Sequence, residues 1–162
     1  MNEAKIVHFV QKKCRPIIPF LNFISYIFYG HISLPIFNII MYFQNVNLLK
    51  MNMFLIYTEI ILVSLKLLFG RKRPYKQHTD YIKGLDIKQP QSKSFPSSHS
   101  AYAALFALIL FKIVSPTYFV VLIPIFIGIS RMALGVHYLS DVLTGFIIGI
   151  LLFKQGVFLK LI

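Results

Sequence analysis

The chain has no tryptophan, one cysteine and five acidic residues among its 162 positions. A lone Cys14 excludes an internal disulfide. The five acids are Glu3, Glu59, Asp80, Asp86 and Asp141, which is poor provision for a site that needs several carboxylates around metal ions. Charged residues make up 14% of the chain, well below an ordinary soluble domain. A cleavable signal pattern is also lacking. Lys12, Lys13 and Arg15 precede an apolar stretch at 17–29, but Tyr29-Gly30-His31 follows where small residues belong. There is no internal repeat and no low-complexity segment.

What is present is apolar. Hydrophobic residues are 57% of the chain, aromatics 15%, and mean hydropathy is +0.70. The length suits one domain, residues 1–162, and the apolar runs make it an all-α polytopic membrane bundle of five to six spans. Residues 1–31 read as an interfacial helix or a short first span, with Pro16 and Pro19 suiting a helix start. Further spans are expected at 32–43, continuing to about 49, and at 51–69, 98–114, 118–133 and 141–159. Between the second and third of these, residues 70–96 form the one long polar loop, punctuated by Gly70, Pro74, Gly84, Pro90 and Pro96. The net charge of +12 does not point to nucleic acid, because so apolar a chain belongs in lipid. Anionic head groups and phosphorylated substrates are the better partners.

Counting spans brings three places to one membrane face: residues 66–73, 96–99 and 131–141. They hold the unusual polar side chains. Lys66 and Arg73 are seven apart, which on a helix returns nearly to the same face. Pro74 disfavours helix at Arg73. By itself this cluster reads equally well as flanking charge. Ser97 or Ser98 is a good N-cap, and His99 falls in the first turn of the helix that follows. A helix N-terminus favours anions, although simple capping explains the same residues. His137 and Asp141 are four apart, so in a helical turn they share a face. A carboxylate on one ring nitrogen leaves the other nucleophilic. Arg131 adds a planar phosphate binder. A membrane-edge salt bridge is the plainer alternative. Taken together, three cations, a helix start and two imidazoles meet the demands of phosphoryl transfer, which is largely positioning and charge stabilisation.

The ordered set Lys66-x6-Arg73-Pro74, Pro96-Ser97-Ser98-His99 and Ser130-Arg131-x5-His137-x3-Asp141 resembles the type 2 phosphatidic acid phosphatase (PAP2) superfamily, in its small bacterial membrane branch. The resemblance implies that His137 forms a phosphohistidine, that Asp141 orients it and that His99 is the general acid. It also implies that Lys66, Arg73, Ser97, Ser98 and Arg131 hold the phosphate, with no metal and no cofactor. Ser98 stands where the family often has Gly, and a serine serves unless the position requires positive φ. The expected activity is hydrolysis of a phosphomonoester or pyrophosphate on a lipid. Undecaprenyl diphosphate, phosphatidylglycerophosphate, phosphatidic acid and lipid A phosphate are the candidate classes. Lipid-to-lipid phosphotransfer and a non-catalytic lipid-binding scaffold are the alternatives. The expected location is the bacterial inner membrane with the site on the outer face, although the cations of the loop favour the cytoplasm. No oligomeric state can be read from the sequence.

Three further features stand apart from the motifs. Glu59 falls well inside a span, where it is expected to pair with a basic residue or lie protonated. His8, His31 and His78 read as interfacial or loop residues. Gly145 and Gly149 form a small-xxx-small pair suited to helix packing rather than dimerisation.

Overall fold

In the computed structural model, which describes residues 2–28, 30–86, 90–114, 120 and 122–162, every described regular element is helical. Helix α1 (Glu3–Cys14) starts on Asn2, whose side chain accepts the Ala4 N–H at 3.1 Å. A 3-10 turn at Arg15–Ile17, containing Pro16, leads into α2 (Ile18–Ile27). Helix α3 (Gly30–Phe43) carries Pro35 internally. It stops short of the expected boundary near residue 49. Asn45 adopts φ 57°, and the Asn47 side chain caps the next helix by accepting the Lys50 N–H at 3.0 Å. Helix α4 (Leu48–Phe69) ends on Gly70 at φ 58°, a left-handed C-cap that costs glycine nothing. The polar loop contains the short helix α5 (Pro74–Gln77). Helices α6 (Ser98–Ile113), α7 (Leu122–Ala133) and α8 (Leu139–Phe158) follow. The expected start of the fourth span at Tyr118, and the break at Pro116, lie outside the described residues.

Two helices, α4 and α8, are long and apolar enough to cross a bilayer alone. The α1–α2 segment and α3 pass the same test only as a pair bent by 56°. Helices α6 and α7 are apolar but shorter, with 16 and 12 residues. At about 1.5 Å per residue, α6 is roughly 24 Å long against a hydrocarbon core of about 30 Å. By length and composition two to three spans pass among the described residues, with α6 and α7 as shorter apolar helices beside them. Leu67, Leu68, Met53 and Ile60 on α4 point outward, the pattern of a lipid-facing surface.

Helix α6 is the spine of the bundle. Ala101, Ala103, Ala104 and Ala107 are all buried on it. A Cβ on Gly145 would sit 2.6 Å from the Ser97 carbonyl oxygen, and one on Gly149 would sit 2.4 Å from that of Ala101. The small-xxx-small pair thus lets α8 lie directly on the α6 backbone within one chain. Far from the polar loop, Phe37, Met41, Met51, Phe54, Leu105, Ile109 and Leu152 close an apolar core. There Phe37 stacks on Phe106 with ring centroids 4.2 Å apart.

The helix ends meet at one pole. The Ser97 N–H donates to the Asp141 carbonyl at 3.0 Å, joining the starts of α6 and α8. Lys66, near the end of α4, donates to the Pro96 carbonyl. The loop closes over the end of α7 through Leu85 N–H to Leu134 O at 3.0 Å and Tyr75 N–H to Gly135 O at 3.1 Å. Helix α1 clamps this lid. The Gln11 amide donates to Lys83 O at 2.8 Å and Ala133 O at 3.1 Å, and its oxygen accepts the Lys83 N–H at 3.1 Å.

Candidate active site

The turn between α7 and α8 carries His137. The sequence suggests a helical turn with His137 and Asp141 on one face, but the geometry is different. Helix α8 begins only at Leu139, so His137 precedes the N-cap residue Tyr138. Asp141 is the third residue of the helix, and its Oδ2 accepts the Tyr138 N–H at 2.8 Å. This fold-back brings Asp141 Oδ2 to 3.5 Å from His137 Nδ1, with both side chains almost fully buried. The other ring nitrogen, Nε2, lies 3.2 Å from Arg73 Nη1. Burial, reinforced by the charges of Arg73, Arg131 and Lys66, holds the imidazole well below its ordinary range, against the opposing pull of the Ser94 backbone. At neutral pH His137 is uncharged.

Asp141 is fully buried and densely satisfied. Arg71 Nη1 donates to Oδ1 at 2.7 Å, and the Ser94 hydroxyl donates to Oδ2. Arg71 also donates to Ser140 Oγ at 2.6 Å and to Glu3 Oε2 at 2.6 Å, and it lies 4.0 Å over the Tyr138 ring. Glu3 in turn accepts the Ser140 N–H at 2.9 Å. Neither Arg71 nor Ser94 stands out in the sequence. Arg71 reads as one more loop cation, and nothing about Ser94 hints at a carboxylate 47 residues away.

The three predicted cations reach the site by different routes. The seven-residue spacing of Lys66 and Arg73 does not operate, because α4 ends at Phe69 and Arg73 lies beyond it. Arg73 is instead fixed by backbone oxygens: Ser92 O at 2.8 Å, Val136 O at 2.9 Å and Lys93 O at 3.1 Å. Arg131 projects from the last turn of α7, 1% exposed, with Asp86 Oδ2 at 2.8 Å and the Ser25 hydroxyl accepting a further N–H. Span counting ties only Asp141 to this region. In fact Asp86 and Glu3 are there too, each paired with an arginine, because the loop and α1 fold over the pole.

Ser97 is the N-cap of α6. Its Oγ takes the Ser100 N–H at 3.4 Å and the Ser100 hydroxyl at 2.9 Å. Ser98 is the first helical residue and has ordinary negative φ, so the departure from glycine costs nothing. Lys66, Arg73, Ser98, His99, Arg131 and His137 all line one cavity of about 770 Å³. Asp141 and Ser97 stand behind that surface. Away from this pole the cavity walls turn apolar, with Leu34, Leu55, Ile56, Val63 and Phe106. Glu59 also lines it. Its hydrogen-bond donor is the Tyr102 hydroxyl at 2.9 Å, so the basic partner, one of the two expectations, is not the group seen there. His8 and His78 lie by Tyr81, away from the cavity, and the His31 side chain is outside the described residues.

A bundle of apolar helices whose ends gather cations and imidazoles around one partly apolar cavity defines a class: integral-membrane proteins with a polar pole. Within that class the chain belongs to the PAP2 superfamily, which matches residues 47–157. Phosphatidylglycerophosphatase B of Bacillus subtilis is 40% identical over 74 residues, 38% of this chain and 36% of that protein. Decaprenylphosphoryl-5-phosphoribose phosphatase of Mycobacterium tuberculosis is 37% identical over 89 residues, 55% of this chain and 48% of that protein. The matched segments thus span between 36% and 48% of these curated relatives. Among solved structures, the transmembrane PAP2 type phosphatidylglycerolphosphate phosphatase from Bacillus subtilis superposes with a TM-score of 0.72 at 27% identity, over 100% of this chain and 89% of that one. Aquifex aeolicus LpxE gives a TM-score of 0.78 at 22% identity, over 94% and 93%, a likeness of fold.

Proposed function

We propose that residues 1–162 form a single membrane-embedded lipid phosphatase domain that hydrolyses a phosphomonoester or pyrophosphate on a lipid without a metal ion. One observation carries this reading. His137, backed by Asp141 on Nδ1, shares a cavity with Lys66, Arg73, His99 and Arg131, and that cavity continues between apolar walls. The buried carboxylates nearby are already paired with arginines.

In this reading Lys66, Arg73, Arg131 and the α6 start at Ser98 take the phosphoryl oxygens, while Ser97 shapes that helix start. The Nε2 lone pair attacks phosphorus as the bond to the lipid oxygen breaks. His99 protonates the departing oxygen, giving a phosphohistidine and the lipid alcohol from a phosphomonoester, or the lipid monophosphate from a pyrophosphate. Water, deprotonated by His99, then attacks phosphorus, breaks the P–N bond and releases phosphate. Asp141 holds the ring and stabilises its positive charge. The substrate classes are those named from the resemblance: undecaprenyl diphosphate, phosphatidylglycerophosphate, phosphatidic acid or lipid A phosphate.

The test is direct. Purified protein in EDTA releases phosphate from a panel of these lipids, and orthovanadate inhibits it. His137→Ala loses activity by on the order of 10⁴-fold or more. Alkaline quenching after reaction with ³²P-labelled lipid leaves label on the wild-type protein. Full activity in His137→Ala would falsify the mechanism, and label passed stoichiometrically to another lipid assigns phosphotransfer instead. We further propose the outer face of the bacterial inner membrane for the site. A membrane-impermeant maleimide reacts with Lys76→Cys in intact cells if so, and only after lysis if not.

A further inference from the structure

Glu59 takes no part in the chemistry just described, yet it lies in the same cavity. Asn52, Glu59 and Lys66 recur at seven-residue intervals along α4, and all three line the cavity. Seven residues of helix advance roughly 10 Å, so the three make a polar ladder down a mostly apolar span. The sign of hydrogen bonding changes along it. At the pole, Lys66, Arg73 and Arg131 offer only donors. One rung deeper the Tyr102 hydroxyl spends its proton on Glu59 Oε2 at 2.9 Å, with the Leu55 carbonyl at 3.3 Å. What remains for a ligand there are acceptors: the carboxylate oxygens and the phenolic lone pairs. Tyr102 stands one turn beyond His99 on α6, next to the proposed proton donor to the leaving group. Beyond this rung the walls are mostly apolar, with Leu34, Leu55 and Phe106 beside the last polar rung, Asn52.

We infer that Glu59 and Tyr102 form a second subsite that reads hydroxyl groups on the linker between phosphate and lipid tail. The matching substrate has three zones in order: a phosphomonoester, a hydroxylated linker of glycerol or sugar type, and an apolar tail. A linker carrying only esters or a bare prenyl chain leaves the acceptors unanswered, and a second anion at that depth meets the carboxylate. Such mismatches discriminate, because a substrate without the hydroxyl forgoes the hydrogen bonds that the carboxylate and the phenol would accept.

This inference rests on the phosphatase reading, and the experiment separates the two. Phosphate release is measured in detergent for two phosphomonoesters with similar tails, one with a free hydroxyl in its linker and one a simple prenyl phosphate. Wild type favours the hydroxylated lipid in kcat/KM. Glu59→Gln and Tyr102→Phe each lower the ratio of the two kcat/KM values roughly tenfold, about one hydrogen bond to a charged group. Taking the ratio within each variant removes any loss of folded protein. Wild type that hydrolyses both lipids, with a ratio unmoved by either substitution, overturns the subsite and leaves the phosphatase standing. Wild type inactive on both sinks the phosphatase reading itself.

Discussion

Arg71 Nη1 donates to Asp141 Oδ1 at 2.7 Å, while the opposite oxygen of that carboxylate faces His137 Nδ1. One carboxylate thus joins an arginine from the loop after α4 to an imidazole before α8. Ser94 and the Tyr138 N–H complete its shell. Arg71 in turn holds Glu3, so helix α1 is connected to the proposed nucleophile through two ion pairs.

Arg71 is therefore expected to act as a positioning residue. Arg71→Ala lowers kcat by about 10–100-fold, the usual size of effect when an orienting partner is lost. KM stays within about threefold, since Arg71 does not line the cavity. Arg71→Lys recovers part of the loss, because it keeps the charge but not the planar fork that spans Ser140, Asp141 and Glu3. Glu3→Gln has a smaller effect of a few-fold. Steady-state kinetics on the three variants checks this, and an unchanged kcat in Arg71→Ala rules out the role.

His137 gives a pH prediction. Burial and three neighbouring cations push its titration well below the ordinary value of roughly 6.5. Between the folded value and about 6.5, the unfolded chain binds a proton that the folded chain does not. Its contribution to stability is complete above about pH 6.5 and is lost progressively as pH falls below it. In ¹⁵N-histidine spectra, the signal missing from His137→Ala stays at its neutral position from pH 7.5 to 5.5. A midpoint near 6.5 for that signal contradicts the buried, cation-flanked setting.

The Arg131–Asp86 pair is buried on both sides, with side chains 1% and 5% exposed. Removing one member of such a pair leaves the other charge stranded, at a cost of about 3–5 kcal/mol. Asp86→Ala is expected to lower the thermal midpoint sharply. The double variant Asp86→Leu with Arg131→Met regains stability but not activity, because the proposed phosphate ligand is gone. Thermal scans and phosphate release on the same preparations separate the two effects.

How much of this was legible depends on sequence distance. Lys66, Arg73, His99, Arg131 and His137 announce themselves as polar residues at the ends of apolar runs, and counting the runs brings them together. What supports them is invisible for a physical reason. Arg71 with Glu3, Arg131 with Asp86 and Ser25, and Ser94 with Asp141 are separated by 45 to 106 residues, and only folding of α1, α2 and the loop around the pole pairs them. The local error was the helix period: Gly70 ends α4, and Tyr138 starts α8, before the seven- and four-residue spacings can apply.

The α6–α8 contact offers the last test, because there the sequence pattern and the close approach agree. Alanine at Gly149 places a Cβ 2.4 Å from Ala101 O, and at Gly145 one 2.6 Å from Ser97 O. Both obstacles are backbone, which cannot swing aside, so the helices must part. Overpacking of this kind costs about 1–3 kcal/mol. At roughly 2–4 °C per kcal/mol for a chain of this size, each variant melts several degrees lower in detergent. The two differ in their effect on activity. Gly145→Ala pushes on Ser97, which caps α6 beside Ser98 and His99, so turnover falls beyond the loss of folded protein. Gly149→Ala acts one turn deeper and affects stability chiefly. If the pair served self-association instead, both variants would keep their midpoint and change only in oligomeric size on gel filtration.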